Sequence, residues 1–211
     1  MSKGTMRGIS VGVLVVVTWL LSAPASAGPI AGDATALPGF FGSRSYNYAE
    51  DGYTLMAEVD FAVYAPLVYP GSDPSSGADY VYAYQIFNSA ASTVGIGWFS
   101  VGLESGVIAR NQGEDTSLGA PGQSGGQSPL MSRVGSTSVS WLFDPEVPVG
   151  GHSMTLIFTS PYRPMWKSGA LADGGLPTPG SGPLPSPMPE PATMAFLLAG
   201  GGLTLLRRRR K

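Results

Sequence analysis

The run YTLMAEVDFAVY at residues 53–64 decides how the rest of the chain is read. Leu55, Ala57, Val59, Phe61 and Val63 fall on one face, with Thr54, Glu58 and Asp60 on the other. A two-residue period with one apolar face is the pattern of a half-buried strand. Pro66 and the PGSDP run from Pro70 end it. Working outward, residues 80–87 put Tyr80, Tyr82, Tyr84 and Ile86 on one side. Residues 94–103 form a third strand whose parity changes between Trp98 and Phe99, which predicts a bulge or burial on both sides. Residues 134–143 form a fourth, turned by Asp144-Pro145, and residues 154–160 a fifth after Gly150-Gly151. Weaker strands are expected at 40–48 and 107–110. No window keeps a 3.6-residue period. Short strands separated by Gly/Pro turns predict an all-β chain with a single antiparallel β-sandwich.

Composition agrees. Gly 30, Pro 19 and only 12% charged residues suit a turn-rich β domain better than a helical bundle. The formal charge of −2 hides an uneven distribution. Residues 28–188 carry five basic residues (Arg44, Arg110, Arg133, Arg163, Lys167) against 13 acidic ones, a net of −8. A body of that sign repels phosphate backbones, so nucleic acid is excluded as a partner. There is no cysteine, hence no disulfide, thiolate metal site or cysteine nucleophile.

The ends are different in kind. Lys3 and Arg7 precede the uncharged run 9–21, after which Pro24 and the small-x-small triplet Ala25-Ser26-Ala27 predict cleavage before Gly28 by signal peptidase. Residues 1–27 are thus expected to be a signal peptide with a signal helix, and 28–171 the β-sandwich. Residues 172–188 read as an extended linker outside the core, because 173–191 hold seven prolines and four glycines. Pro189-Glu190-Pro191 follows, then fifteen uncharged residues at 192–206, then Arg207, Arg208, Arg209, Arg210 and Lys211. Fifteen helical residues reach about 22 Å, short of the ~30 Å hydrocarbon layer. The five cations are expected to act as a cytoplasmic stop, with the body on the far side.

Residues 189–211 resemble the PEP-CTERM sorting signal of Gram-negative bacteria, on the Pro-Glu-Pro-Ala motif, the short apolar run and the terminal Arg cluster. The resemblance implies that Pro189, Glu190 and Pro191 are recognised by exosortase, a membrane-embedded protease-transpeptidase. It also implies an inner-membrane intermediate anchored by the helix, then release to the cell surface or extracellular matrix. Such proteins accompany exopolysaccharide and biofilm production, so exopolysaccharide is an expected partner. The Tyr-x-Tyr-x-Ile-x-Asn pattern at 82–88 and the stretches around Trp141 and 150–160 are similar to immunoglobulin-like bacterial surface modules. They imply an immunoglobulin-like β-sandwich.

Chemistry is sparse. His152 is the single histidine, beside a Gly-Gly turn and without a nucleophile elbow, so it reads as a turn residue and not a catalytic or zinc group. Carboxylate pairs stand at Glu50-Asp51, Glu114-Asp115 and Glu58/Asp60; a glycoside hydrolase would need such a pair ~5–10 Å apart in a cleft. Asp73, Asp79, Glu114 and Asp115 are the loop carboxylates that calcium would use. Tyr46, Tyr48, Tyr64, Tyr69, Trp98 and Trp166 are the aromatics that could stack on sugar rings. Residues 110–133, rich in Gly, Gln and Ser, are either functional or loosely ordered; loose order is the expectation. The resulting reading has no catalytic residue, cofactor or metal. It is a structural or adhesive envelope protein, with a carbohydrate-binding module or a secreted glycoside hydrolase as alternatives.

Overall fold

The computed structural model describes residues 30–50, 52–172 and 182–189. The signal-peptide residues, Ala25, Ala27 and Gly28 included, lie outside that range. So do Glu190, Pro191, the run 192–206 and the terminal cations 207–211. No helix among the described residues is long and apolar enough to cross a membrane.

Ten strands follow a short 3-10 turn at Ile30–Gly32: β1 (Phe41–Glu50), β2 (Tyr53–Tyr64), β3 (Tyr80–Asn88), β4 (Ile96–Gly102), β5 (Arg110–Asp115), β6 (Met131–Val134), β7 (Ser138–Val147), β8 (Thr155–Ser160), β9 (Pro164–Ala172) and β10 (Pro183–Pro187). They form two five-stranded sheets, ordered β1-β2-β3-β8-β5 and β10-β9-β4-β7-β6. Every ladder between these strands is antiparallel.

Five strands lie as in an immunoglobulin Greek key, β4-β7-β6 facing β5-β8. The outer places are exchanged. The strand before β4 sits beside β8, and the strand after β8 sits beside β4. The strand order thus departs from the immunoglobulin order at these two places. Successive connections from β3 to β6 cross between sheets instead of turning back in one.

Two apolar clusters hold the chain. Between the sheets, Leu55, Val59, Phe61, Val63, Tyr82, Tyr84, Leu156 and Phe158 meet Phe99, Val101, Val139, Trp141, Leu171 and Leu184, all at most 2% exposed. The rings interlock: Phe99 stacks on Trp141 at 5.5 Å, and Tyr84 meets Phe99 edge-on at 5.7 Å. A second cluster lies on the outer face of the first sheet, where Ile30, Ala36 and Tyr69 cover Ala62, Tyr64, Val81, Ala83 and Ile157. Strand β3 is consequently buried on both sides, with Val81 and Ala83 facing this small core. The Tyr64 hydroxyl donates to Asp33 Oδ2 (2.8 Å), so the polar tip of a buried tyrosine is satisfied.

Three expectations change. Asp144-Pro145, joined by a cis peptide, does not turn the chain. Strand β7 bulges there and continues to Val147, which pairs with Ile96. That bulge lies between Ile96 and Trp98, close to the expected parity change. Residues 110–133 are not a loose loop, because they supply β5, β6 and an anchored connection.

The third correction concerns the linker assigned to 172–188, whose second half is an edge strand. Leu184 and Ser186 are fully buried, and Ser186 Oγ donates to the Gly102 carbonyl (2.6 Å). Gly169 N donates to Gly182 O (3.0 Å) and Met188 N to Arg163 O (2.8 Å). The alternation of an antiparallel ladder then directs the backbone of Leu184 and Ser186 toward β9. Pro183, Pro185 and Pro187 occupy the positions that bond nothing in β9, where a missing N–H costs nothing. Pro-x-Pro-x-Pro is compatible with an edge strand for that reason.

Candidate functional site

Strand β5 begins with a bulge between Arg110 and Gly113 where Asn111 takes a left-handed φ of 52°, a conformation its short amide tolerates. Asn111 Nδ2 is held by Thr159 Oγ1 (3.0 Å). Arg110 is turned back onto Asp79 through Nε (2.8 Å) and Nη2 (3.0 Å), and Thr159 Oγ1 donates to the same carboxylate (3.2 Å). The carbonyls of Gln112 and Gly113 accept from Ser132 Oγ (3.3 Å) and Trp141 Nε1 (2.9 Å). These bonds tie the edge of one sheet to the other.

At the end of β5, Asp115 is 3% exposed and ties the loop after β2 to the turn after β5. Its Oδ2 accepts from Tyr69 Oη (2.8 Å) and Ser72 N (3.1 Å), its Oδ1 from Ser117 N (2.9 Å). Burial is the first cause that holds the Tyr69 hydroxyl well above the usual tyrosine range, with the Asp115 charge adding to it. Between these segments opens a cleft of about 440 Å³ lined by Ser72, Pro74, residues 111–117 and Ile157. One oxygen of Glu114, Oε2, is enclosed there without a hydrogen-bond partner among the described residues. The wall consists of amides, hydroxyls and two carboxylates, with Pro74 and Ile157 as its apolar residues. That set can hydrogen-bond a neutral polyhydroxylated ligand and disfavours an anion.

The connection after β5 is fixed by Gln85, a residue whose role sequence reasoning missed. Its fully buried amide donates to Gln123 O (2.7 Å) and Ser153 O (2.8 Å) and accepts from Gln123 N (2.8 Å). Thr155 Oγ1 donates to Pro121 O (2.5 Å), and the Gln127 and Met154 amides complete the attachment. The available signal was one glutamine inside the otherwise apolar run 81–86.

The other candidates are not brought together. Asp73 accepts from Ser75 N, Ser75 Oγ and Gly77 N, and Asp79 is taken by Arg110. With Asp115 likewise occupied, the four calcium candidates do not converge, and no group of acidic or His side chains among the described residues could hold a metal. Glu58 is exposed, whereas Asp60 is 7% exposed beneath the N-terminal turn and accepts from Ser43. Desolvation is the first cause raising the Asp60 carboxyl, against the Ser43 bond. Tyr46, Tyr64 and Tyr69 are buried, and Tyr48 and Trp98 partly so. Trp166 is stacked by Phe40 at 5.5 Å with Arg44 over its ring at 5.4 Å, so it presents no bare platform. His152 lies over Phe87 with Nε2 3.4 Å from Ser124 O. Pro189 directly follows Met188, whose backbone N–H is the last tie to the sheet among the described residues.

The fold and cleft define a two-sheet antiparallel β-sandwich with a polar groove at one sheet edge. Compared with known proteins, the chain matches no family model, no curated sequence and no solved structure.

Proposed function

We propose that the chain is an exported, non-enzymatic envelope or matrix protein. In this reading residues 1–27 direct export, and the helix 192–206 with the cations 207–211 holds an inner-membrane intermediate. Exosortase then acts near Pro189, Glu190 and Pro191. The released sandwich serves as a structural or adhesive component beside exopolysaccharide.

One observation carries the reading: among the described residues, the last backbone bond to the sheet falls immediately before the sorting motif. Met188 N is bonded to Arg163 O, and Pro189 is the next residue. A cut after that point leaves both clusters and all ten strands intact. The test is mass spectrometry of the C-terminal peptide of the surface protein. Termination near 189–191, with or without an added group, is expected. A surface form that keeps residues 207–211 refutes processing.

A second reading, carbohydrate binding, is favoured by the cleft beside β5. Gln112→Ala together with Ser117→Ala should weaken retention on the organism's own exopolysaccharide without lowering the melting temperature by more than a degree or two. Retention unchanged by the pair removes the cleft from consideration.

A further inference from the structure

A sandwich has four edge strands, and each exposes backbone groups that another strand could complete. Three are closed here. On β10, prolines remove the donors on the side away from β9, while Arg44 Nε (3.4 Å) and Tyr84 Oη cap the carbonyls of Pro183 and Pro185. On β5, which bulges between Arg110 and Gly113, the carbonyls of Gln112 and Gly113 are taken by Ser132 and Trp141. Strand β6 has only four residues. Strand β1 differs: it has ten residues, no proline, and mostly exposed or half-exposed side chains.

Its bonding side follows from the register. Phe41 lies opposite Ala62, and just before it the pair of residues 40 and 63 is hydrogen-bonded, with Val63 N donating to Phe40 O (3.0 Å). In an antiparallel ladder bonded and non-bonded pairs alternate. Arg44, Tyr46, Tyr48 and Glu50 therefore bond β2. Ser45, Asn47 and Ala49 turn their N–H and C=O groups outward, and no described residue bonds them.

We propose that this edge pairs with the β1 edge of a second copy of the chain, antiparallel about a two-fold axis at Asn47. The register is argued from charge. It sets Arg44 opposite Glu50 of the other copy, twice by symmetry, with Tyr46 opposite Tyr48 and Ser45 opposite Ala49. Cross-strand pairs of opposite charge favour such a register, and like charges oppose it. It also keeps the contact clear of Gly42, where φ is 143°. Arg44 is already held at this edge over the rings of Phe61 (5.9 Å) and Trp166 (5.4 Å). The two outer sheets become one continuous sheet, and an isologous contact of this kind closes on itself.

The test uses the exported protein, by sedimentation velocity over a concentration series and by amide hydrogen exchange. A monomer–dimer equilibrium is expected, with concentration-dependent protection of the Ser45, Asn47 and Ala49 amides. Asn47→Pro removes one outward donor and no bond to β2, so it should give a folded monomer. Glu50→Arg should weaken association roughly tenfold, and adding Arg44→Glu should restore it. A protein that stays monomeric at all concentrations overturns the proposal, as does a dimer untouched by both Asn47→Pro and Glu50→Arg. Protection of those amides that is independent of concentration also overturns it, because a segment of the same chain then covers the edge.

Discussion

Leu184 is the residue that most sharply separates a Pro-rich spacer from a strand of the fold. It has no exposed surface, and it packs where Gly169 has no side chain; a Cβ at that glycine would collide with the leucine Cδ1. Leu184→Ala deletes the buried isobutyl group and leaves a cavity between β10 and the inner faces of both sheets. Burying a leucine side chain contributes about 1.5–3 kcal/mol, and the unfilled cavity brings the expected loss to about 2–5 kcal/mol. For a domain of this size each kcal/mol lowers the melting temperature by roughly 2–4 °C. A loss of about 3 kcal/mol therefore corresponds to about 6–12 °C. Leu118→Ala is the matched control, since that leucine is 100% exposed and its truncation should stay within about 0.5 kcal/mol. Urea unfolding of the mature body followed by tryptophan fluorescence reads both. If Leu184→Ala unfolds at the same urea concentration as Leu118→Ala, β10 is not part of the cooperative unit and the strand assignment is wrong.

Further outcomes follow from the buried polar groups. Burial first of all raises the hydroxyls of Tyr46, Tyr64, Tyr69, Tyr82 and Tyr84 above the usual value of 10.0. Their contribution is complete below pH ~10 and is lost as pH rises through the folded values. The fold should therefore resist alkali until a cooperative step in which these tyrosines ionise together, visible as a joint change in phenolate absorbance and circular dichroism. Gradual ionisation without unfolding would contradict their burial. For Asp60 the folded carboxyl is raised from 3.8, so its contribution is present below that pH and lost as pH rises. Asp60→Asn should raise the urea midpoint at pH 7 and leave it nearly unchanged at pH 3. An equal effect at both pH values argues against the desolvation account. Gln85→Ala strands the Gln123 amide and two carbonyls, at about 1–3 kcal/mol for each group left unpaired. Limited proteolysis should then cut within 116–127 well before the wild type is cut, and equal digestion rates would show the anchor to be dispensable.

What sequence alone determined about this protein was local. The faces of β2, β3 and β8, the all-β class and the acidic body were legible because side-chain alternation is a property of consecutive residues. The readings of the two ends, drawn from motifs at 1–27 and 189–211, rest on sequence and stay there. Tertiary structure decided whatever depends on a distant partner. Val81 and Ala83 read as the wet face of a strand until Ile30 and Tyr69 cover them. The prolines of β10 read as breakers until the register shows that β9 asks nothing of their nitrogens. The Gly/Gln/Ser stretch reads as slack until the Gln85 amide fastens it. Asp73, Asp79 and Asp115 look like one acidic set, but Asp73 is taken by its own turn, while Asp79 and Asp115 are taken by Arg110 and Tyr69 from distant parts of the chain. Pairing across the sheets is non-local, so no window of neighbouring residues contains it.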